Sequence, residues 1–393
     1  MSALQLISLF TALPLLNLIS ASPTIHHDEY RHPSNGICTD YTIKSEVTSN
    51  DFVWGLDHFN DNYDVAAFLF NNSRKDTFTT FQPFSGTKNV TKQFEVAATF
   101  CTPEEMKGGK EKTVLVATHG LGYDRRYWAP SYKPDEYSFV QYALANGYSI
   151  FYYDRLGTGK SQILSGYTNQ ASNQIEILSK MVQEIRKGMY TSTVKASKIV
   201  LVGHSFGSFI SDAMVAQYPG LVEGVVLTGI GFAGLTDDAG PSSRWIPSAF
   251  ASRIASTVSS AYRSLDSGYL SFGDVYAHIE TFFHQPNYAV DVVEYAQAIS
   301  QPFAIAEYLS LGRISLVAAE FKGPVFITSG QFDLIVCGGE CKSTFANGTQ
   351  KEKFPKARVL ETYAHPGAGH GVNFGANATG FFGKTVEFLD KNF

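Results

Sequence analysis

The chain has no stretch in which lysine and arginine are concentrated. Its 31 basic residues are scattered among 36 acidic ones, for a formal net charge of -5. Phosphate backbones and anionic membrane surfaces are held by clustered positive charge, so neither nucleic acid nor such a surface is an expected partner. Long apolar runs are equally scarce, and after the N-terminus no segment is long and apolar enough to span a bilayer. Cysteine is limited to Cys38, Cys101, Cys337 and Cys341. The spacing Cys337-x-x-x-Cys341 has no second Cys/His cluster to complete a tetrahedral metal site. Internal repeats and low-complexity linkers are also missing, so nothing marks off a second independent domain within the 393 residues.

What is present begins with an apolar run from Leu4 to Ile19 that ends in the small residues Ser20, Ala21 and Ser22. That pattern, interrupted by Pro14, reads as a secretory signal peptide over residues 1–22. Secretion also accounts for four N-x-S/T acceptors, at Asn71, Asn89, Asn347 and Asn377. In an oxidising compartment an even cysteine count implies disulfides. A local Cys337–Cys341 loop leaves Cys38–Cys101 to tie an N-terminal arm to an early strand.

Residues 23–62 form an N-terminal extension, and His26 to Asn50 is polar and reads as irregular. Two strand-like runs follow, Val65–Phe70 and Phe94–Phe100, separated by a polar stretch in the manner of a long hairpin. From Thr113 the pattern becomes regular. Short apolar, β-rich runs at Thr113–Gly120, Tyr148–Asp154, Lys198–Gly203 and Val222–Gly231 alternate with helical patterns. Among the helices, Ile175, Leu178, Val182 and Ile185 make one clear stripe. This alternation predicts an α/β fold with a mostly parallel sheet covered on both faces. It lapses between Phe232 and Lys322, where helical or mixed patterns prevail. It resumes with strands in Gly323–Asp333 and Ala357–Tyr363 and a last helix at about Gly380–Leu389. The core is thus expected in residues 63–231 and 323–393, with a cap inserted at 232–322.

The chemistry gathers around Gly203-His204-Ser205-Phe206-Gly207, between a strand and a helix. Flanking glycines let two backbone segments approach closely, and the turn exposes a serine at a helix N-terminus. A hydroxyl becomes nucleophilic when a base takes its proton. His370, in Gly-His-Gly beyond the last strand, is the preferred base and His365 its rival. His204 adjoins the serine, but neighbours on such a turn point apart, so it reads as structural. His26, His27 and His32 read as solvated arm residues. A carboxylate must orient the base, and Asp333 lies just past a strand end, with Asp237, Asp238 and Glu340 as rivals. The glycine turn His119-Gly120-Leu121-Gly122 follows another strand, where the Leu121 amide pairs with that of Phe206 to hold a developing oxyanion. Asp154–Ser161 ends in Gly-Lys-Ser and imitates a phosphate loop. The full pattern needs a glycine where Asp154 stands and a helix opening at Ser161. It is read as a structural turn.

Together "HGLG", "DRLGTGKS", "GHSFG", "SGQFD" and "GAGHGVNF" resemble the serine-hydrolase branch of the α/β-hydrolase superfamily, over roughly Asp64 to Phe393. The resemblance implies Ser205 as nucleophile, Asp333 as acid, His370 as base and the Leu121 and Phe206 amides as the oxyanion hole. It also implies a helical cap after the sixth strand, and chemistry without metal or organic cofactor. The expected reaction is hydrolysis of a small-molecule or lipid-like carboxylic ester, by a secreted esterase or lipase-like enzyme. A peptidase or acyltransferase using the same three residues, or a non-catalytic binding protein of the same fold, are the alternatives. The cap aromatics Trp245, Phe250, Tyr262, Tyr269, Phe272, Tyr276, Phe282, Phe283 and Tyr288 point to an apolar acyl or aromatic substrate.

Overall fold

Short apolar runs rich in valine and isoleucine leave no polar face, so they are buried on both sides as central strands. In the computed structural model, which describes residues 30–393 except 75, 78, 79, 107 and 233–251, they do so. Signal residues 1–22, His26, His27, Asp237, Asp238, Trp245 and Phe250 lie outside the described residues. The strands of the main sheet are β1 (Gly36–Trp54), β2 (Phe84–Pro103), β3 (Thr113–Thr118), β4 (Ser149–Tyr153), β5 (Lys198–His204), β6 (Gly224–Thr228), β10 (Val325–Gly330) and β11 (Leu360–His365). Their spatial order is β1-β2-β4-β3-β5-β6-β10-β11. Pairing is parallel from β4 to β11, and β2 runs antiparallel to both of its neighbours.

Helices cover both faces of this sheet. On one face Leu115, Ile150, Val200 and Phe326 pack against α2 (Phe139–Ala145) and α9 (Ala378–Asn392). On the other, Val114, Phe151, Leu201 and Ile327 meet α3 (Ala171–Arg186) and α4 (Phe206–Gln217). The stripe Ile175, Leu178, Val182 and Ile185 is the buried side of α3.

Three expectations are corrected. Val65–Phe70 is no strand but the middle of helix α1 (Asn62–Ser73). Asp61 caps it by accepting from the Tyr63 and Asp64 amides, and Val65, Phe68 and Leu69 bury at helical spacing while Phe70 faces water. The arm read as irregular is largely β1, which pairs with β2 from Gly36 to Trp54. Its inward positions alternate as a strand requires, but they carry Ser45, Ser49 and Asp51 beside Ile43 and Val47, which hides the period. The region between β6 and β10 is not purely helical. It contains a three-stranded antiparallel sheet of β7 (Ser252–Ile254), β8 (Tyr269–Phe272) and β9 (Phe303–Ala304). These strands are too short to show a pattern in sequence. Helices α5 (Val275–Phe282), α6 (Val290–Ala298) and α7 (Ile305–Ser310) accompany them.

Two sulfur pairs lie at bonding distance. Cys38 and Cys101 are register partners on β1 and β2, and Cys337, the last residue of the short helix α8 (Leu334–Cys337), joins Cys341 across the turn that follows it. Asn89, Asn347 and Asn377 are exposed, whereas Asn71 is half-buried on α1. No described helix is long and apolar enough to cross a membrane.

Candidate active site

Five loops leave the C-terminal ends of β3, β4, β5, β10 and β11, the edge at which parallel sheets gather functional groups. Ser205 stands where β5 turns into α4, with φ 51° and ψ -119°. A positive φ on a non-glycine residue is strained and persists only where the surroundings hold it. Here the Ser205 amide donates to the Thr228 carbonyl of β6 at 2.8 Å. Room for the turn comes from its glycines. A Cβ on Gly203 would sit 2.5 Å from the Ser208 Cα, and one on Gly207 2.0 Å from the Thr118 carbonyl oxygen.

The side chains expected to act together form one hydrogen-bonded line. Asp333 Oδ2 lies 2.7 Å from His370 Nδ1, and His370 Nε2 lies 2.8 Å from Ser205 Oγ. A carboxylate only accepts, so Nδ1 carries the proton and Nε2 is left to accept from the serine hydroxyl. All three are nearly withdrawn from solvent, with Ser205 the most accessible at 6%. Burial alone would raise the Asp333 carboxyl. His370 beside it, the Ser329 hydroxyl and the Val336 amide outweigh burial and hold it below the usual carboxylate range. The acid therefore stays ionised where the imidazole needs it.

The rival groups among the described residues, His365 and Glu340, sit elsewhere. His365 ends β11 with Nδ1 3.3 Å from the Tyr363 hydroxyl, and Glu340 is solvent-facing and caps the following helix through the Lys342 and Ser343 amides. His204 is fully buried behind the site. Thr228 Oγ1 already donates to the Gly203 carbonyl, so His204 Nδ1 donates to Thr228 Oγ1 at 3.0 Å. Burial above all holds the His204 imidazole well below its ordinary pKa and keeps it neutral. His32 lies on the arm, 3.2 Å from Asp40.

The glycine turn runs against the serine, and a Cβ on Gly120 would be 2.9 Å from that of Ser205. Leu121 is next in the chain. Phe206 opens α4, where the first amides of a helix have no intrahelical acceptor. Both expected anion-binding amides thus belong to backbone at the serine. Above them, Phe282 of α5 stacks on His370 with centroids 5.9 Å apart, and Phe272 and Tyr123 pack edge-on against Phe282. Of the cap aromatics, Tyr269, Phe272 and Phe282 are buried and Tyr262, Phe283 and Tyr288 half-buried. Tyr276 instead faces water at 68% exposure.

Sequence reasoning missed several residues close to this site. Arg155 and Glu307 form a fully buried ion pair, and Tyr123 bonds His278 Nε2 at 2.8 Å under the cap. Arg155 had a signal, since it directly follows a strand end in "DRLG". Glu307 and His278 had none, because each meets its partner across more than a hundred residues of chain.

Comparison with known proteins bears on the scaffold. The model of the alpha/beta hydrolase family matches residues 114–381, more than half of the chain. A thermophilic esterase from Thermogutta terrifontis, with malate bound, aligns with a TM-score of 0.51 at 17% identity, over 76% of this chain and 94% of its own. An α/β hydrolase fold protein from Chitinophaga pinensis gives 0.49 at 15% identity, over 75% and 94%. For a monoacylglycerol lipase from Paleococcus ferrophilus the values are 0.47 and 19%, over 72% and 96%. No curated protein matches the sequence significantly. Identities this low speak for the fold alone. The parallel sheet, the strained serine turn after its fifth strand and the span of the family match agree, and on them the chain belongs to the α/β hydrolase family.

Proposed function

We propose that the protein is a secreted serine hydrolase that cleaves carboxylic esters through an acyl-enzyme. The observation that carries this reading is the unbroken line Asp333–His370–Ser205, with contacts of 2.7 and 2.8 Å. His370 Nε2 takes the Ser205 proton as Oγ attacks the ester carbonyl, and the imidazolium that forms is stabilised by ionised Asp333. The carbonyl oxygen becomes an oxyanion facing the Leu121 and Phe206 amides, and His370 returns its proton to the departing alcohol. Water then attacks the acyl-enzyme by the same relay and frees the acid. The aromatic roof of Phe272, Phe282 and Tyr123 favours an apolar acyl or aromatic group over a charged one. Residues 1–22 serve as a cleaved signal peptide, and the cysteine pairs and the acceptors at Asn71, Asn89, Asn347 and Asn377 accord with export.

A fluorophosphonate probe tests the nucleophile. Wild-type protein should label and Ser205→Ala should not, while equal labelling of both would refute the assignment. Turnover of p-nitrophenyl esters should fall by about 10⁴-fold in Asp333→Asn, which leaves the histidine in the wrong tautomer. An undiminished Asp333→Asn enzyme would move the acid elsewhere. Wild-type protein that labels yet hydrolyses no ester of any chain length would favour the peptidase reading.

A further inference from the structure

The segment "DRLGTGKS" has no part in the relay, yet its arginine touches both halves of the expected oxyanion site. Arg155 is fully buried at the end of β4. Its Nε donates to the His119 carbonyl at 3.1 Å and its Nη2 to the Gly120 carbonyl at 3.2 Å. The guanidinium also lies over the Phe206 ring, 4.6 Å from the centroid. The remaining arm, Nη1, pairs with Glu307 Oε1. Glu307 belongs to α7, in the region between β6 and β10, and is itself fully buried. It accepts further from Gln174 Nε2 at 2.8 Å and from the Ala304 amide at 3.3 Å.

The contact with Gly120 has a geometric consequence. A trans peptide is planar, with its C=O and N–H on opposite sides. The Gly120 carbonyl and the Leu121 N–H belong to one such unit, so a donor that fixes the carbonyl also fixes the direction of the amide. His119 reinforces it, since its Nδ1 donates to the same carbonyl at 2.9 Å while Nε2 accepts the Arg155 amide at 3.0 Å. The partner amide, on Phe206, starts the residue whose ring carries the guanidinium. A single charged fork therefore holds the carbonyl of the Leu121 peptide while it packs on the ring of the residue that supplies the second donor.

We propose that Arg155, oriented by Glu307, is a positioning residue that aims the Leu121 amide at the oxyanion and ties that aim to the seating of the cap region. The proposal rests on the ester-hydrolase reading given above. It assigns the buried ion pair a role in turnover, because a donor that is misdirected binds the ground state almost as well but loses the tetrahedral anion.

Two variants separate this from plain structural support. Arg155→Lys keeps a charge opposite Glu307 but lacks the planar fork that reaches two carbonyls at once. The double variant Arg155→Met/Glu307→Leu removes both charges at similar volume, a replacement that buried ion pairs commonly tolerate. Each would be assayed for melting temperature, for kcat and KM on a p-nitrophenyl ester, and for inhibition by butylboronic acid, which adds to the serine as a tetrahedral anion. In the variants that fold, kcat should drop about 10- to 100-fold with KM within threefold, and the boronate should weaken by a matching factor. A folded variant with wild-type kcat, or one that loses kcat while binding the boronate normally, overturns the proposal. So does a loss that is recovered when temperature is lowered in step with a depressed melting point. If wild-type protein shows no Ser205-dependent labelling, the hydrolase reading falls and this inference with it. Normal labelling beside unaffected variants defeats the inference alone.

Discussion

Asp212 lies on α4, the helix that Ser205 opens, and both of its carboxylate oxygens are buried without a hydrogen-bond partner among the described residues. Burial raises its pKa well above the ordinary carboxylate value, with Lys353 opposing. The folded chain therefore holds the neutral acid, whereas the unfolded chain ionises it near pH 4. Above that pH unfolding releases a proton, so this residue's contribution to stability falls as pH rises. Asp212→Asn, neutral throughout, should melt several degrees higher than wild type at pH 7, and the gap should shrink toward pH 4. An equal gap at both pH values would refute the account. Asp333 has the opposite sign: its depressed pKa adds stability above the unfolded value that is lost as pH falls through the folded one. These two aspartates mark the limit of what single residues reveal. Asp333 was legible because it follows a strand in "SGQFD", as were Ser205 and His370 within their own glycine-flanked motifs. Asp212 was not, since an aspartate on a helix ordinarily faces water. Nor was the Arg155–Glu307 pair, whose partners stand 152 residues apart.

Among the elements, the central strands were legible because burial on both faces demands an unbroken apolar run. Two of the failures had ambiguous patterns: β1, whose inward serines blurred the alternation, and α1, whose six apolar letters fit either period. The third, the sheet of β7, β8 and β9, has strands too short to show one. The two cysteine pairs act on elements of these different kinds. Cys38–Cys101 joins β1 to β2 over a separation of 63 residues, and Cys337–Cys341 spans four. Loop entropy makes the first worth about 4 kcal/mol and the second about 2 kcal/mol. The short bridge, however, sits on the loop of Asp333, whose carbonyl accepts the Gly339 amide at 2.8 Å, while the Cys341 amide returns to Gln331 at 2.9 Å. Cys38→Ser/Cys101→Ser should lower stability to denaturant more, whereas Cys337→Ser/Cys341→Ser should lower kcat more. The reverse ranking in paired denaturation and kinetic measurements would contradict this division.

For the whole molecule, the proposed relay gathers at one edge of the sheet, and the acceptors Asn89, Asn347 and Asn377 are exposed. The proposed secretion makes a plain prediction. Expressed in a eukaryotic host, the protein should reach the medium with an N-terminus near Ser20–Pro23 and should lose mass on enzymatic deglycosylation. Substituting Asn89, Asn347 or Asn377 by Gln should each remove one glycan, while the half-buried Asn71 on α1 should be modified least. Retention in the cell at unglycosylated mass would overturn the assignment. The cross-strand bridge between β1 and β2 has one more implication. Cys38 precedes and Cys101 follows the stretch between α1 and β2, where Arg74, Asp76 and Thr80 are exposed. A protease that nicks this stretch would produce two polypeptides that still travel as one species until a reductant separates them, so an active preparation need not consist of a single continuous chain.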